Sequence, residues 1–189
     1  MNIPNILTLS RIFLTFVFAS FAQGQGFGAM ALALVVFALA ALTDWADGYW
    51  ARKHDMTSAF GKIMDPIADK ALILTAFFIL AYADLWSLWL VYPIAAREIL
   101  VTSSRIHALT RGQIIPAEKA GKIKTIFQMI TIFAGLSCLV LTAWDLTEDI
   151  MRNYEIFWQA GLNLLMIIAT VLTLWSGALY WRNLNNSNV

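Results

Sequence analysis

Charge is scarce in this chain. Asp, Glu, Lys and Arg make up 13% of its 189 residues, and 13 basic against 12 acidic side chains leave a formal charge of +1. So small a net value carries no information by itself, although its distribution along the chain does. Cysteine is rarer still. Cys138 stands alone, which excludes an internal disulfide, and its apolar surroundings make it a lipid- or core-facing filler. Arg11 directly follows Asn2-Ile-Pro-Asn-Ile-Leu-Thr-Leu-Ser10, and no short apolar run ending in a cleavage site is evident, so a cleavable signal peptide is not expected. No repeat or low-complexity segment stands out. What fills the chain instead is apolar: 60% hydrophobic residues and a mean hydropathy of +0.68, the composition of a polytopic membrane protein and not of a soluble core. At roughly 20 apolar residues per span, the length allows about six helices in one domain covering residues 1–189.

The expected fold is therefore all-α and integral to the membrane. A short interfacial helix over 2–11, with Pro4 near its start, leads into six spans at about 6–21, 30–52, 65–82, 85–109, 119–143 and 156–182. The turns fall at 23–26 and 83–84, a polar loop at 53–64, a second loop at 110–118, an acidic stretch at 145–155 and a polar tail at 183–189. With both termini on one side, Arg11, Arg52, Lys53, Lys62, Lys70, Arg111, Lys119, Lys122, Lys124 and Arg182 share a face, and only Arg152 lies opposite. The positive-inside rule makes that face cytoplasmic. Trp86, Trp144 and Trp158 are expected at the outer interface, and Trp175 and Trp181 at the inner one.

Against this background four carboxylates are the anomaly. Asp44, Asp47, Gly48, Ala51 and Arg52 fall at i, i+3, i+4, i+7 and i+8, so a helix puts them on one face. Asp65 and Asp69 form an i, i+4 pair on the next helix, with Asp65 as its N-cap and Pro66 at its first position. A charge at membrane depth costs about 3 kcal/mol or more and needs a partner, usually a functional one. Four carboxylates carry −4 when ionised, and two divalent cations cancel that charge through hard oxygen ligands. Mg²⁺ is the expected metal where substrate phosphates share the site, with Mn²⁺ as its substitute. Gly48 and Gly61 leave room for a nucleotide or a backbone, and Arg52 presents a forked donor suited to phosphate. Carboxylate-held metals beside such an arginine imply phosphoryl transfer.

The string D-x2-D-G-x2-A-R-x8-G-x3-D-x3-D over 44–69 resembles the signature of the CDP-alcohol phosphotransferases, with all eight positions present. The resemblance implies attack on the phosphorus attached to the lipid alcohol of a CDP-linked lipid, with release of CMP. Asp44, Asp47, Asp65 and Asp69 would then be metal ligands, and Asp69 also the general base. Gly48, Ala51 and Arg52 would hold cytidine and diphosphate, with Ser58, Asn5 and Thr8 beside them.

A second polar group reads as an acceptor site. Arg97 and Arg105 are eight residues apart, two helical turns, and share a face; Lys122 lies one turn inside the fifth span, with Lys124 beside it. Cations of this kind over 97–124 point to an acceptor that carries a phosphate. Glu98 is expected to pair with a neighbouring arginine, and Arg111 and Lys119 to contact anionic headgroups. The segments 2–11, 96–102, 121–129 and 172–176 are similar to bacterial phosphatidylglycerophosphate synthases. That resemblance implies CDP-diacylglycerol and sn-glycerol 3-phosphate as substrates, membrane lipids as surroundings, a homodimer in the bacterial inner membrane with its site facing the cytoplasm, and no nucleic-acid partner. The competing readings are a cardiolipin synthase using phosphatidylglycerol, a synthase using inositol phosphate, and a cation transporter. The transporter reading requires acids near the bilayer midplane instead of at helix ends.

Overall fold

The computed structural model describes residues 3–54, 59–110 and 119–187, and the side chains of 8–43, 64–108 and 120–184. Every regular element among them is helical: α1 (Ile3–Ala22), α2 (Phe27–His54), α3 (Ala59–Tyr82), α4 (Leu88–Thr110), α5 (Lys119–Thr142), the short α6 (Glu148–Asn153) and α7 (Glu155–Ser187). Six of these helices run 20 residues or more. By length and apolar composition, 120–142 of α5 and 155–184 of α7 are long enough to cross a bilayer. Only 33% and 39% of their most apolar stretches is buried within the chain, less than a helix through a soluble core would bury. Phe13, Phe16, Trp89, Ile156 and Phe157 stand exposed in the same way.

Two compact units make up the chain. The first comprises Met1–Ile79 and Leu136–Glu155, the second Leu80–Gly135 and Ile156–Val189. In the first, α1 buries Thr8, Arg11, Thr15, Phe18 and Ala22 along one stripe, and α2 buries Ala33, Phe37 and Ala40. Phe18 and Phe37 meet with ring centroids 5.4 Å apart. The turn between these helices needs glycine twice. Gly26 sits at φ 84°, and a Cβ on Gly24 would come within 2.7 Å of the Ala29 Cβ. Phe27 stacks on Trp144 at 5.5 Å, which brings the end of α5 to the start of α2. Cys138 is buried, so it fills the core and does not face lipid.

In the second unit the buried stripes are Val91, Ile94, Ala95, Glu98 and Val101 on α4, Ala120, Lys124, Gln128 and Ile132 on α5, and Met166, Ala169, Thr173, Ser176 and Tyr180 on α7. The turn before α4 follows from Asp84, which adopts φ 59°, a left-handed conformation that aspartate tolerates. Its N–H donates to the Ala81 carbonyl at 3.1 Å, and the Leu85 N–H to the Leu80 carbonyl at 3.2 Å, which terminates α3.

Several expected boundaries move. The interfacial helix and first span are one continuous α1, because nothing after Pro4 interrupts the helix. Asp65 and Pro66 do not start α3. The helix begins at Ala59 and carries Pro66 inside it, which shortens the expected loop at 53–64. An interior proline lacks the N–H for one helical hydrogen bond. Burial of Ala68, Leu72, Ile73 and Ala76 along the following turns offsets that loss. The acidic stretch contains α6, where Arg152 pairs with Glu148 one turn away at 2.6 Å. Trp86 is buried within the chain, its ring lying over Gly135, where a Cβ would approach it to 3.0 Å.

Candidate functional site

Among the described residues two polar centres stand out, one in each unit. In the first, α3 carries Asp65 and Asp69 one turn apart, both half-buried. Thr8, buried on α1, donates its hydroxyl to Asp65 Oδ1. Thr8, expected from its sequence position beside the nucleotide, thus touches one of the expected metal-ligand carboxylates. Asp69 pairs with the ammonium of Lys70, the two side chains 29% and 21% exposed. Lys70 entered the sequence reading only as a mark of the cytoplasmic face. Arg11, one turn beyond Thr8, is also buried, and its i, i+3 spacing from Thr8 was the available signal.

Asp44, Asp47, Gly48, Ala51 and Arg52 lie in the last turns of α2, but their side chains are outside the described residues, as is that of Asn5; Ser58, with Arg111, is outside them altogether. Among the described residues no three metal-ligating side chains gather, since two of the four expected ligands are not among them. The two carboxylates that are described, Asp65 and Asp69, offer hard oxygens one turn apart and within reach of water, a donor set that suits Mg²⁺.

The second centre is built by α4, α5 and α7. Arg97 donates from Nη2 to Ser176 Oγ at 3.1 Å, and its stem fills the space over Gly177, where a Cβ would meet Cγ at 2.9 Å. Arg105, two turns along α4, lies 5.5 Å from the centroid of the Tyr180 ring, and Tyr180 shares a hydrogen bond with Ser104 at 3.1 Å. The buried Arg105 Nε has no hydrogen-bond partner among the described residues. The structure therefore brings both arginines against α7. It separates the two lysines. Lys124 is 4% exposed with its ammonium on Glu98, whereas Lys122 is exposed. Two residues span about 200° of a helix, so these two cannot face one partner. Glu98 pairs with Arg97 as expected, and with Lys124 as well. Ser176, Gly177 and Tyr180 are contributors that the sequence reading missed.

Comparison with known proteins gives this geometry its context. Residues 1–181 match the family model described as CDP-alcohol phosphatidyltransferase. A Bacillus subtilis protein named CDP-diacylglycerol--glycerol-3-phosphate 3-phosphatidyltransferase is 39% identical over 147 residues, covering 71% of this chain and 76% of its own. Proteins of the same name from Mycoplasma pneumoniae and Salmonella typhimurium are 34% and 35% identical, covering 95% and 93% of this chain and 86% and 90% of their own.

Proposed function

Since the chain belongs to the CDP-alcohol phosphatidyltransferase family, we propose that it transfers the phosphatidyl group of CDP-diacylglycerol to sn-glycerol 3-phosphate, giving phosphatidylglycerophosphate and CMP. The observation that carries the choice of acceptor is the arginine pair. Arg97 and Arg105 lie on one face of α4, both backed by α7, with a buried Nε on Arg105 still able to donate. A phosphate monoester is the anion that such forked donors bind best.

The acceptor hydroxyl oxygen attacks the phosphorus that bears diacylglycerol. The bond from that phosphorus to the CMP oxygen breaks, and its electron pair leaves with CMP. The hydroxyl proton passes to the Asp69 carboxylate. Asp44, Asp47, Asp65 and Asp69 hold two Mg²⁺ ions, which supply neutralisation of the diphosphate charge. Gly48, Ala51 and Arg52 hold the cytidine diphosphate, with Asn5 and Ser58 as neighbours. Thr8 orients Asp65 through its hydroxyl. The six long helices are six spans with both termini in the cytoplasm, and the enzyme works as a homodimer in the bacterial inner membrane. The basic face of the sequence supports that orientation.

The test is CMP release by the purified protein in detergent with CDP-diacylglycerol and Mg²⁺, offering glycerol 3-phosphate, phosphatidylglycerol, inositol phosphate or serine in turn. Release with glycerol 3-phosphate alone, abolished by a chelator and restored by Mg²⁺, is expected. Release with phosphatidylglycerol alone would overturn the acceptor and keep the reaction class. Arg105→Ala is expected to raise the KM for glycerol 3-phosphate about tenfold or more while leaving that for CDP-diacylglycerol nearly unchanged. An unaltered acceptor KM would remove Arg105 from the site. Thr8→Val keeps the shape and removes the donor, and should slow CMP release roughly tenfold in protein of unchanged melting temperature. A wild-type rate would leave the hydroxyl no part in orienting Asp65.

A further inference from the structure

Glu98 takes no part in the reaction as described, yet among the described residues it is the most enclosed charge in its unit. It is 0% exposed, on the same stripe of α4 as Val91, Ile94, Ala95 and Val101. Burying a carboxylate there costs several kcal/mol unless donors meet it. Among the described residues, three donors meet it at one oxygen. Oε1 accepts from the Lys124 ammonium, from Gln128 Nε2 at 3.2 Å and from Arg97 Nη1 at 3.4 Å. Gln128 is oriented in turn, because Nε2 also donates to Thr173 Oγ1 at 3.0 Å.

The carboxylate holds one end of the Arg97 guanidinium while Ser176 holds the other at 3.1 Å. Gly177 supplies the space for the stem, since a Cβ there would lie 2.9 Å from Cγ and 3.3 Å from Nε. With both terminal nitrogens engaged and the stem confined, the plane of the guanidinium is set. The charges also match the proposed ligand. Arg97, Arg105 and Lys124 contribute three positive charges and Glu98 one negative, leaving +2, the complement of a phosphate monoester dianion.

We propose that Glu98 is the positioning residue of the acceptor subsite. Through Oε1 it holds the Arg97 guanidinium in the orientation that receives the acceptor's phosphate, with Ser176 and Gly177 as the opposite side of the clamp. This rests on the reading of Arg97 and Arg105 as the phosphate-binding pair. Without the carboxylate, Arg97 keeps the Ser176 hydroxyl but loses the anchor at Nη1, and the cluster gains a charge that a phosphate monoester does not match.

Glu98→Gln tests this, because it keeps an oxygen at Oε1 and the side-chain shape while removing the charge. The KM values for glycerol 3-phosphate and CDP-diacylglycerol are measured separately, starting with wild type. The expected result is a rise of about fivefold or more in the acceptor KM, with kcat within about threefold and the CDP-diacylglycerol KM within about twofold. Gly177→Ala, which crowds the Arg97 stem and leaves the Glu98 contacts to Lys124 and Gln128 in place, should move the same constant in the same direction. An unchanged acceptor KM in folded Glu98→Gln protein would overturn the proposal, as would equal changes in both KM values. Should Glu98→Gln give no folded protein, the KM split in Gly177→Ala decides, and an unmoved acceptor KM there overturns it. Wild type that releases no CMP with glycerol 3-phosphate defeats the reading of the acceptor itself, a result separable from any variant's behaviour.

Discussion

Asp69→Asn is expected to reduce CMP release by about 10³-fold or more while CDP-diacylglycerol binding persists. Asparagine reproduces the shape of the side chain, so α3 is undisturbed. Its amide, however, neither accepts a proton at neutral pH nor offers an anionic oxygen to a cation. Asp69 sits half-exposed beside the buried Ala68 and pairs with Lys70, so the substitution also releases that ammonium. Rate is read as CMP formed with glycerol 3-phosphate, and binding as protection of the protein's melting by CDP-diacylglycerol. Turnover within tenfold of wild type would take the general base away from Asp69. Loss of binding together with turnover would make Asp69 chiefly a nucleotide-site residue.

The second large effect concerns stability. Lys124→Met leaves Glu98 fully buried without its ammonium partner, and removing one member of such a pair costs about 3–5 kcal/mol. Thermal unfolding in detergent should fall by about 10 °C. Replacing Glu98 with Met in the same protein should recover part of the loss, because the buried carboxylate is gone, while Arg97 gives up its partner at Nη1. Lys122→Met is the control. That side chain is exposed, and its replacement should cost about 0.5 kcal/mol or less. Equal losses from the two lysines would mean that the rotation of α5 has been read wrongly.

These two lysines also show where sequence reasoning stopped. Both are cations at the cytoplasmic end of one expected span, and charge counting treats them alike. Only the stripe of Ala120, Lys124, Gln128 and Ile132 at helical spacing separates them, and polar members of a buried stripe are easily taken for its exposed edge. Asp65 shows a different limit. Asp followed by Pro is a strong start signal, yet α3 runs back to Ala59. Helix propensity and tertiary packing outweighed one missing hydrogen bond.

The order of the elements and the reaction class lay in the sequence itself. Apolar runs of span length and a string of eight spaced residues are local properties, set by the rise of a helix and by what a diphosphate requires of its ligands. The interior of the second unit was decided only by tertiary structure. Glu98 gathers Lys124 and Gln128 from α5, and Arg97 lies over Gly177 of α7, because three helices come together at particular rotations about their axes. Those rotations depend on how all three buried stripes pack at once, a property that no single stretch of the chain encodes.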